Sequence, residues 1–355
     1  MDVIQHAYNM QEFFVRFGFL GVFAISLFFT PVRQGDFRVF GFFIVYLLIS
    51  SMVTGFGLEA RRVILNVGLA LLFYKVVTEH LKTDTLKIFA WWVLATILLN
   101  VVLMIYQGFN NDLLFTRVNN VDVPFNEKAV GFFKLKVNVG VFGAMAGVLL
   151  ALINPFFSLL AIPFMWIGES STSIVAFLVS MGTILYFRVR KAIFYIALAI
   201  ILSLGSIYVL KVDLPGGQFG ERFKVWNESL SLVLRVNPVI GVGAGTFSKV
   251  DFQTNQETVQ EKLYWSWAHN EYLQIFFETG IIGLSIVLLF LYRQFKDFLE
   301  FSNDPTVQVL FASFLCVAII SICHFPFHVG KFSGFCVFIM ALFHARIREC
   351  QKLNH

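Results

Sequence analysis

Charge is what this chain has least of. Only 14% of its 355 residues are Asp, Glu, Lys or Arg, against 58% hydrophobic ones, whereas a soluble domain carries about 25% charged residues. So little polar surface cannot cover a water-soluble globule, and the bilayer is the expected solvent; a mean hydropathy of +0.76 agrees. Cysteine is scarce too. Cys316, Cys323, Cys336 and Cys350 include no Cys-x-x-Cys pair, which leaves small packing residues rather than a disulfide framework or a metal site. The first apolar stretch has no basic n-region and no small-residue cleavage site, so no cleavable signal peptide is expected.

The net charge of +5 is dispersed along the chain. Arg188, Arg190 and Lys191, then Arg293 and Lys296, then Arg346, Arg348 and Lys352 flank apolar runs. That is the positive-inside placement of cytoplasmic loops, not a nucleic-acid patch.

A helical span needs about 20 mostly apolar residues. Eleven candidate runs meet that test: 13–30, 37–57, 62–79, 87–108, 129–152, 154–168, 171–187, 191–211, 270–292, 306–325 and 328–346. The run at 154–168 opens on Asn154-Pro155 and is expected to form a tight hairpin with its predecessor. Continuous runs exclude the alternating strands of a membrane β-barrel. The expected fold class is an all-α polytopic membrane protein. Its parts are an N-terminal bundle (1–211), a large extracytoplasmic loop (212–269), and C-terminal helices with a basic cytoplasmic tail (270–355). A second hydrophilic segment covers 109–128.

Within the large loop, Glu221–Val236 is amphipathic at 100° per residue. Lys224, Asn227, Glu228, Ser231 and Arg235 fall in one arc, opposite Phe223, Val225, Trp226, Leu230, Leu232, Val233, Leu234 and Val236. Such a helix lies on a membrane face or on the bundle. Arg222 falls in the apolar arc. Either it snorkels to water from the first turn, or it lines a wet cavity and binds an anion. Asn237-Pro238 ends the helix, and Gly241, Gly243 and Gly245 permit a tight backbone path. Without a strand and a βαβ unit, this string is not a nucleotide loop. His269 then stands at the re-entry to the membrane, followed by Asn270, Glu271, Tyr272 and Gln274, with Glu278-Thr279-Gly280 further along the run.

The order of these pieces is similar to the O-antigen ligase/polymerase (Wzy-C) superfamily. They are Arg-x-x-x-Trp at Arg222 and Trp226, Asn-Pro-(x)2-Gly-x-Gly-x-Gly-Thr-Phe at 237–247, His-Asn-x-Tyr-Leu-Gln at 269–274, and Glu-x-Gly at 278–280. Gly131-Phe132-Phe133 with Asn138 resembles a further family stretch entering a central helix. The resemblance implies a multi-pass bacterial inner-membrane protein that moves a glycan from an undecaprenyl-diphosphate carrier onto an acceptor hydroxyl. The acceptor is another glycan, lipid A core or another hydroxyl. By the same resemblance Arg222 holds the diphosphate and His269 is catalytic, with Trp226, Asn270, Glu271, Tyr272, Glu278, the three glycines and Asn138 in support.

One departure matters. Thr172 stands where many members carry arginine, and Lys134 and Lys136, at the outer start of the span 129–152, are the candidates for that charge. With no Asp-x-Asp and no carboxylate cluster on the outer face, neither metal nor cofactor is expected. Fixed cations stabilise the departing diphosphate, and a histidine takes the acceptor's proton. Direct attack at the anomeric carbon inverts it. Two rivals stay open: a transporter or flippase, suggested by Asn66, Lys75, Asn100, Gln107 and Asn138 in apolar runs, and an inactive glycolipid-binding relative.

Overall fold

The computed structural model describes residues 37–54, 58–80, 83–109, 129–133, 136–188, 218–250, 267–328 and 330–353. The expected spans at 13–30 and 191–211, Lys134, and nearly all of 109–128 lie outside them. Among the described residues there are helices and no strand. They are α1 (Phe37–Thr54), α2 (Leu58–His80), α3 (Thr83–Phe109), α4 (Lys136–Leu150), α5 (Ile162–Gly168), α6 (Ser171–Arg188), α7 (Gln218–Val236), α8 (Glu271–Glu300), α9 (Pro305–Cys323) and α10 (Gly330–Leu353). Five of them, α2, α3, α6, α8 and α9, contain stretches long and apolar enough to cross a membrane. On α3 both faces are apolar. Leu86, Ala90, Val93, Ile97, Asn100, Met104 and Gln107 form the buried stripe, while Trp91, Trp92, Leu98, Leu99, Val102 and Ile105 stay exposed. A helix that is greasy on its uncovered side belongs in lipid.

The chain divides into two compact units. One holds the described parts of Leu81–Ser206, Asp297–Ile320 and Leu342–His355. Here the run expected as one span over 129–152 is helical only from Lys136, because a turn occupies 129–133. Gly131 takes φ 60° there, and a Cβ on it would lie 2.0 Å from the Asn100 Oδ1. The turn's backbone is satisfied by side chains of α3. Gln107 accepts from the Gly131 N–H at 2.7 Å and donates to its carbonyl at 3.0 Å, and Asn100 accepts from the Phe132 N–H at 2.8 Å. Two of the polar residues that suggested transport therefore serve a buried turn, where an unpaired backbone group would be costly.

The expected hairpin after α4 is present, with a difference. Asn154 caps a 3₁₀ segment, Pro155–Ala161, by accepting from the Phe156 N–H at 2.9 Å, and only then does α5 begin. Close approach is bought with small residues. A Cβ on Gly143 would come within 2.4 Å of the Phe164 Cβ, one on Gly147 within 2.3 Å of the Ala161 Cβ, and one on Gly168 within 2.4 Å of the Gly140 nitrogen. Small-residue seams of this kind pack membrane helices without a hydrophobic driving force.

The other unit holds the described parts of Met1–His80, Ile207–Lys296 and Ser321–Ala341. Its core gathers Val225 and Val233 of α7 with Phe247, Ala268 and Phe277. The amphipathic helix thus lies against protein along Val225, Ser229 and Val233, while Phe223, Leu230 and Leu234 remain exposed beside the polar arc.

Candidate functional site

The site rests on a broken helix. Inside α8, Gly280 takes φ 63° and ψ −167°, a combination open essentially to glycine. A break frees the carbonyls before it and the N–H groups after it, and each needs a partner in an apolar setting. The glycine string after α7 supplies most of them. The Val242 N–H donates to the Phe277 carbonyl at 2.8 Å and the Gly243 N–H to the Glu278 carbonyl at 3.0 Å. Beyond the break, the Ile281 N–H donates to the Pro238 carbonyl at 2.9 Å and the Ile282 N–H to Val239 at 3.4 Å. The Tyr46 hydroxyl of α1 takes the Thr279 carbonyl. The Glu278 carboxylate receives the Gly245 N–H at 2.8 Å and the Gln274 amide at 3.2 Å.

The string therefore splints α8. A Cβ on Gly241 would sit 2.5 Å from the Glu278 carbonyl carbon, and one on Gly280 would sit 2.3 Å from the Val239 oxygen. Gly241, Gly243 and Gly245 all have positive φ as well. Their spacing serves backbone-to-backbone contact, in line with the rejection of a nucleotide loop.

The segment that enters α8 is held just as closely. Asn270 caps the helix, its Oδ1 accepting from the Leu273 N–H at 3.0 Å. The peptide before His269 is clamped on both sides: the Ala268 N–H donates to Gln274 Oε1 at 3.1 Å, and the Ala268 carbonyl accepts from Trp226 Nε1 at 2.6 Å. His269 itself sits at φ 52°, the left-handed region, which a non-glycine residue keeps only when its surroundings hold it.

Glu271, 3% exposed, reaches to the turn after α9. It accepts from the Phe327 N–H at 2.8 Å and pairs with His328 Nδ1 at 2.8 Å. Because Gln274 uses its oxygen on Ala268, its amide nitrogen faces His328 Nε2 at 3.2 Å as donor. That arrangement leaves the proton of a neutral His328 on Nδ1, the nitrogen that lies 2.8 Å from a Glu271 oxygen. Tyr272, the next residue of α8, is half-buried.

Arg222 does not snorkel. It lies on the stripe of α7 that continues through Val225, Ser229 and Val233, and its Nη1 donates to the Cys323 carbonyl at 3.2 Å. A cation on the final carbonyls of α9 also suits that helix's dipole. Two residues further on, the Phe325 ring meets the His269 ring edge to face at 4.5 Å and 87°. Between those contacts stands His324, 9% exposed. Burial, then the Arg222 charge, then His324 lower the pKa of His269 to about 3. Burial and then Arg222 lower that of His324 to about 4. Both imidazoles are therefore neutral at physiological pH. A guanidinium flanked by two neutral histidines can receive an anion and hold lone pairs ready for a proton.

The remaining sequence candidates are in the other unit. Lys136 opens α4 and pairs with Glu169 at 2.8 Å, so its charge is already matched. Asn138 is half-buried one turn inside that helix. Thr172, also half-buried, is the second residue of α6, whose start is tied by a Ser170–Ser173 hydroxyl contact of 2.8 Å. Sequence reasoning passed over His324 and His328. Their signal was His-Phe-Pro-Phe-His at 324–328, two histidines about a proline where an apolar run returns to the same side as His269.

Comparison with known proteins bears on this geometry. Residues 156–288 match the O-antigen ligase family (Wzy_C). The chain is also 27% identical over 197 residues to the exopolysaccharide production protein ExoQ of Rhizobium meliloti (strain 1021). That match covers 46% of this chain and 44% of the relative, so the chain spans less than half the length of the curated relative it matches. Both findings support the O-antigen ligase superfamily. The matched stretch takes in Arg222, the glycine string, His269 and Gly280, and it ends before His324.

Proposed function

We propose that this protein transfers a glycan from an undecaprenyl-diphosphate carrier to an acceptor hydroxyl at the outer face of the bacterial inner membrane, within a bundle of about eleven spans. The observation that carries the reading is Arg222. It is a cation turned inward from an amphipathic helix, and its charge is felt by a histidine held in the left-handed conformation. In the reaction the acceptor oxygen attacks the anomeric carbon as the bond from that carbon to the phosphate oxygen breaks. The diphosphate leaves with the electron pair, and Arg222 stabilises the charge it gains. A ring nitrogen of His269 takes the acceptor's proton. One displacement gives an inverted anomeric centre; retention in the product would exclude it.

A histidine beside an unneutralised arginine is a weak base. Burial is the first cause of the lowered pKa of His269 and the Arg222 charge the second; a bound diphosphate cancels the second, so the base strengthens when the donor is in place. This ordering suits an enzyme that must not deprotonate acceptors idly. Polymerisation and ligation differ in the acceptor, and the relative's name, which speaks of exopolysaccharide production, fits the polymer arm. Transport is the weaker reading, since Asn100 and Gln107 are engaged by the 129–133 turn.

The test is complementation of a knockout with wild type, Arg222→Ala or His269→Ala, each checked for membrane insertion. Lipid-linked precursor and finished surface glycan are both measured. His269→Ala should cut turnover by roughly 10²–10⁴-fold while precursor accumulates. Product trapped as single repeats indicates polymerase; long chains stranded on the carrier indicate ligase. Wild-type glycan from both variants would overturn the assignment.

A further inference from the structure

We infer that His324 is a second anion ligand of this site, working beside Arg222 on the donor's diphosphate. The inference rests on the transfer reading above and adds to it a residue outside the matched family stretch.

The argument starts from placement. Residues 323–325 form a short bridge across the site: the Cys323 carbonyl receives Arg222, the Phe325 ring abuts His269, and His324 lies between. The bridge is fixed from behind. Glu271 takes the Phe327 N–H and His328, the His328 N–H closes a turn on the Phe325 carbonyl at 3.0 Å, and Trp267 stacks on Phe325 at 6.1 Å and meets His328 at 4.6 Å. The backbone on both sides of His324 is thus fixed next to the Arg222 anchor, and the residue is buried there, unlike a mobile surface histidine.

Charge supplies the second step. A diphosphate esterified to a sugar at one end and a lipid at the other carries more negative charge at neutral pH than one guanidinium balances. The arginine that the resemblance places at Ser171-Thr172-Ser173 is absent, and of the two lysine candidates the described one, Lys136, is matched by Glu169, Lys134 lying outside the described residues. Among the described residues, the titratable groups set around His324 include Arg222 from α7, His269 from the segment before α8, and Cys323 at the end of α9. Glu271 and His328 stand beyond them as a matched pair. With no anion bound, burial first and the Arg222 charge second keep His324 neutral. When an anion enters, the field at His324 changes sign, the imidazole takes a proton, and its N–H becomes a charge-assisted donor. Binding and proton uptake are then linked: affinity rises as pH falls through the bound-state pKa of His324, down towards its empty-site value of about 4.

The experiment uses full-length protein in nanodiscs and a short polyprenyl diphosphate as probe, with affinity and buffer-dependent heats measured between about pH 6 and 8. The His269→Gln protein is the background, so that His269 contributes no proton. In that range the probe itself loses negative charge on acidification, which weakens binding, so tightening must come from the protein. The inference expects binding to tighten several-fold towards low pH with net proton uptake, and His324→Gln to remove the uptake and roughly tenfold of affinity, about 1.4 kcal/mol by the standard conversion. His324→Arg should keep the affinity and lose the pH dependence.

Proton uptake absent in the His269→Gln background overturns the inference without any change at His324, so a His324→Gln protein that failed to fold would not shield it. Unchanged affinity and slope in His324→Gln also overturn it, while loss of binding in Arg222→Ala alone would leave the transfer reading standing. Failure of the unaltered protein to bind the probe would sink both.

Discussion

Two regions in the same unit of this chain solve opposite problems. Around Gly280 the backbone is interrupted, and the carbonyls of Phe277, Glu278 and Thr279 and the N–H groups of Ile281 and Ile282 all find partners. Around Arg222 charge is concentrated instead: one guanidinium lies close enough to depress two histidines, both withdrawn from water. The first region is settled by hydrogen bonding and the second is left electrostatically uneasy. The first makes the second tolerable, since groups in unfavourable states persist only where the surroundings over-determine them. A splint that fixes α8 also fixes Asn270, Glu271 and Gln274, and through them the histidines.

The sharpest way to break the contrast is Gly280→Ala. The new Cβ would meet the Val239 carbonyl at 2.3 Å, on a residue at φ 63°. Neither backbone can yield without losing hydrogen bonds, so a cost of about 3 kcal/mol or more is expected. The readout is folded yield and thermal midpoint in detergent, with activity lost alongside. Gly334→Ala in α10, where a Cβ meets nothing within 4 Å, should be neutral or stabilise by up to about 1 kcal/mol. If both glycines tolerate alanine equally, the splint does not hold the helix.

Much of this was legible in the sequence, and the part that was not has a physical reason. The wheel for 221–236 put Arg222 on the apolar side, and the structure keeps it there; a single helix's periodicity is local information. The glycine string was read as a tight path rather than a nucleotide loop, and it is one. Its partner could not be read, because pairing of 238–243 with 277–282 is decided by tertiary contact. Gly280 was singled out within Glu-x-Gly but not as a break in the helix, since glycine is common in membrane helices. The turn at 129–133 was hidden in apolar residues, Ala129-Val130-Gly131-Phe132-Phe133, whose backbone is satisfied by amides from α3. His324 went unseen for a related reason. Its meaning depends on α8 and α9 bringing two ends together.

Acid should expose the uneasy region. A histidine whose folded pKa lies well below its unfolded value near 6.5 stabilises the fold fully above that value. The contribution is lost as pH falls towards the folded pKa, because the unfolded chain takes up protons that the folded one refuses. His269 at about 3 and His324 at about 4 both have this sign. Lowering the pH of ligand-free protein from about 7 to about 5 should therefore cost on the order of 1–2 kcal/mol per histidine, read as a fall in thermal midpoint. His269→Gln should flatten roughly half of that slope. The backbone pairs of the splint do not titrate over that range, while His328, which Glu271 raises against the effect of burial, acts with the opposite sign, so the slope is judged by what His269→Gln removes from it. A slope that His269→Gln leaves unchanged would mean that this histidine does not carry it and that the contrast is misread.

The smallest effect is expected where the two regions join. Trp226 is one turn along α7 from Arg222, and its Nε1 donates to the Ala268 carbonyl, the peptide next to His269. Trp226→Phe keeps most of the ring that packs near Phe223 and removes only that hydrogen bond. The expected loss is about 1 kcal/mol of stability. Kinetics decide what the bond is for. If it serves His269, the base is less well aimed at the acceptor proton, so turnover falls a few-fold while KM for the lipid donor stays put, as small misplacements lower rate without touching ground-state binding. If it serves Arg222 instead, donor KM rises and turnover at saturation is kept. The geometry favours the first outcome, because the Ala268 peptide is pinned at its N–H by Gln274 as well as at its carbonyl by Trp226, whereas Arg222 has its own anchor on Cys323.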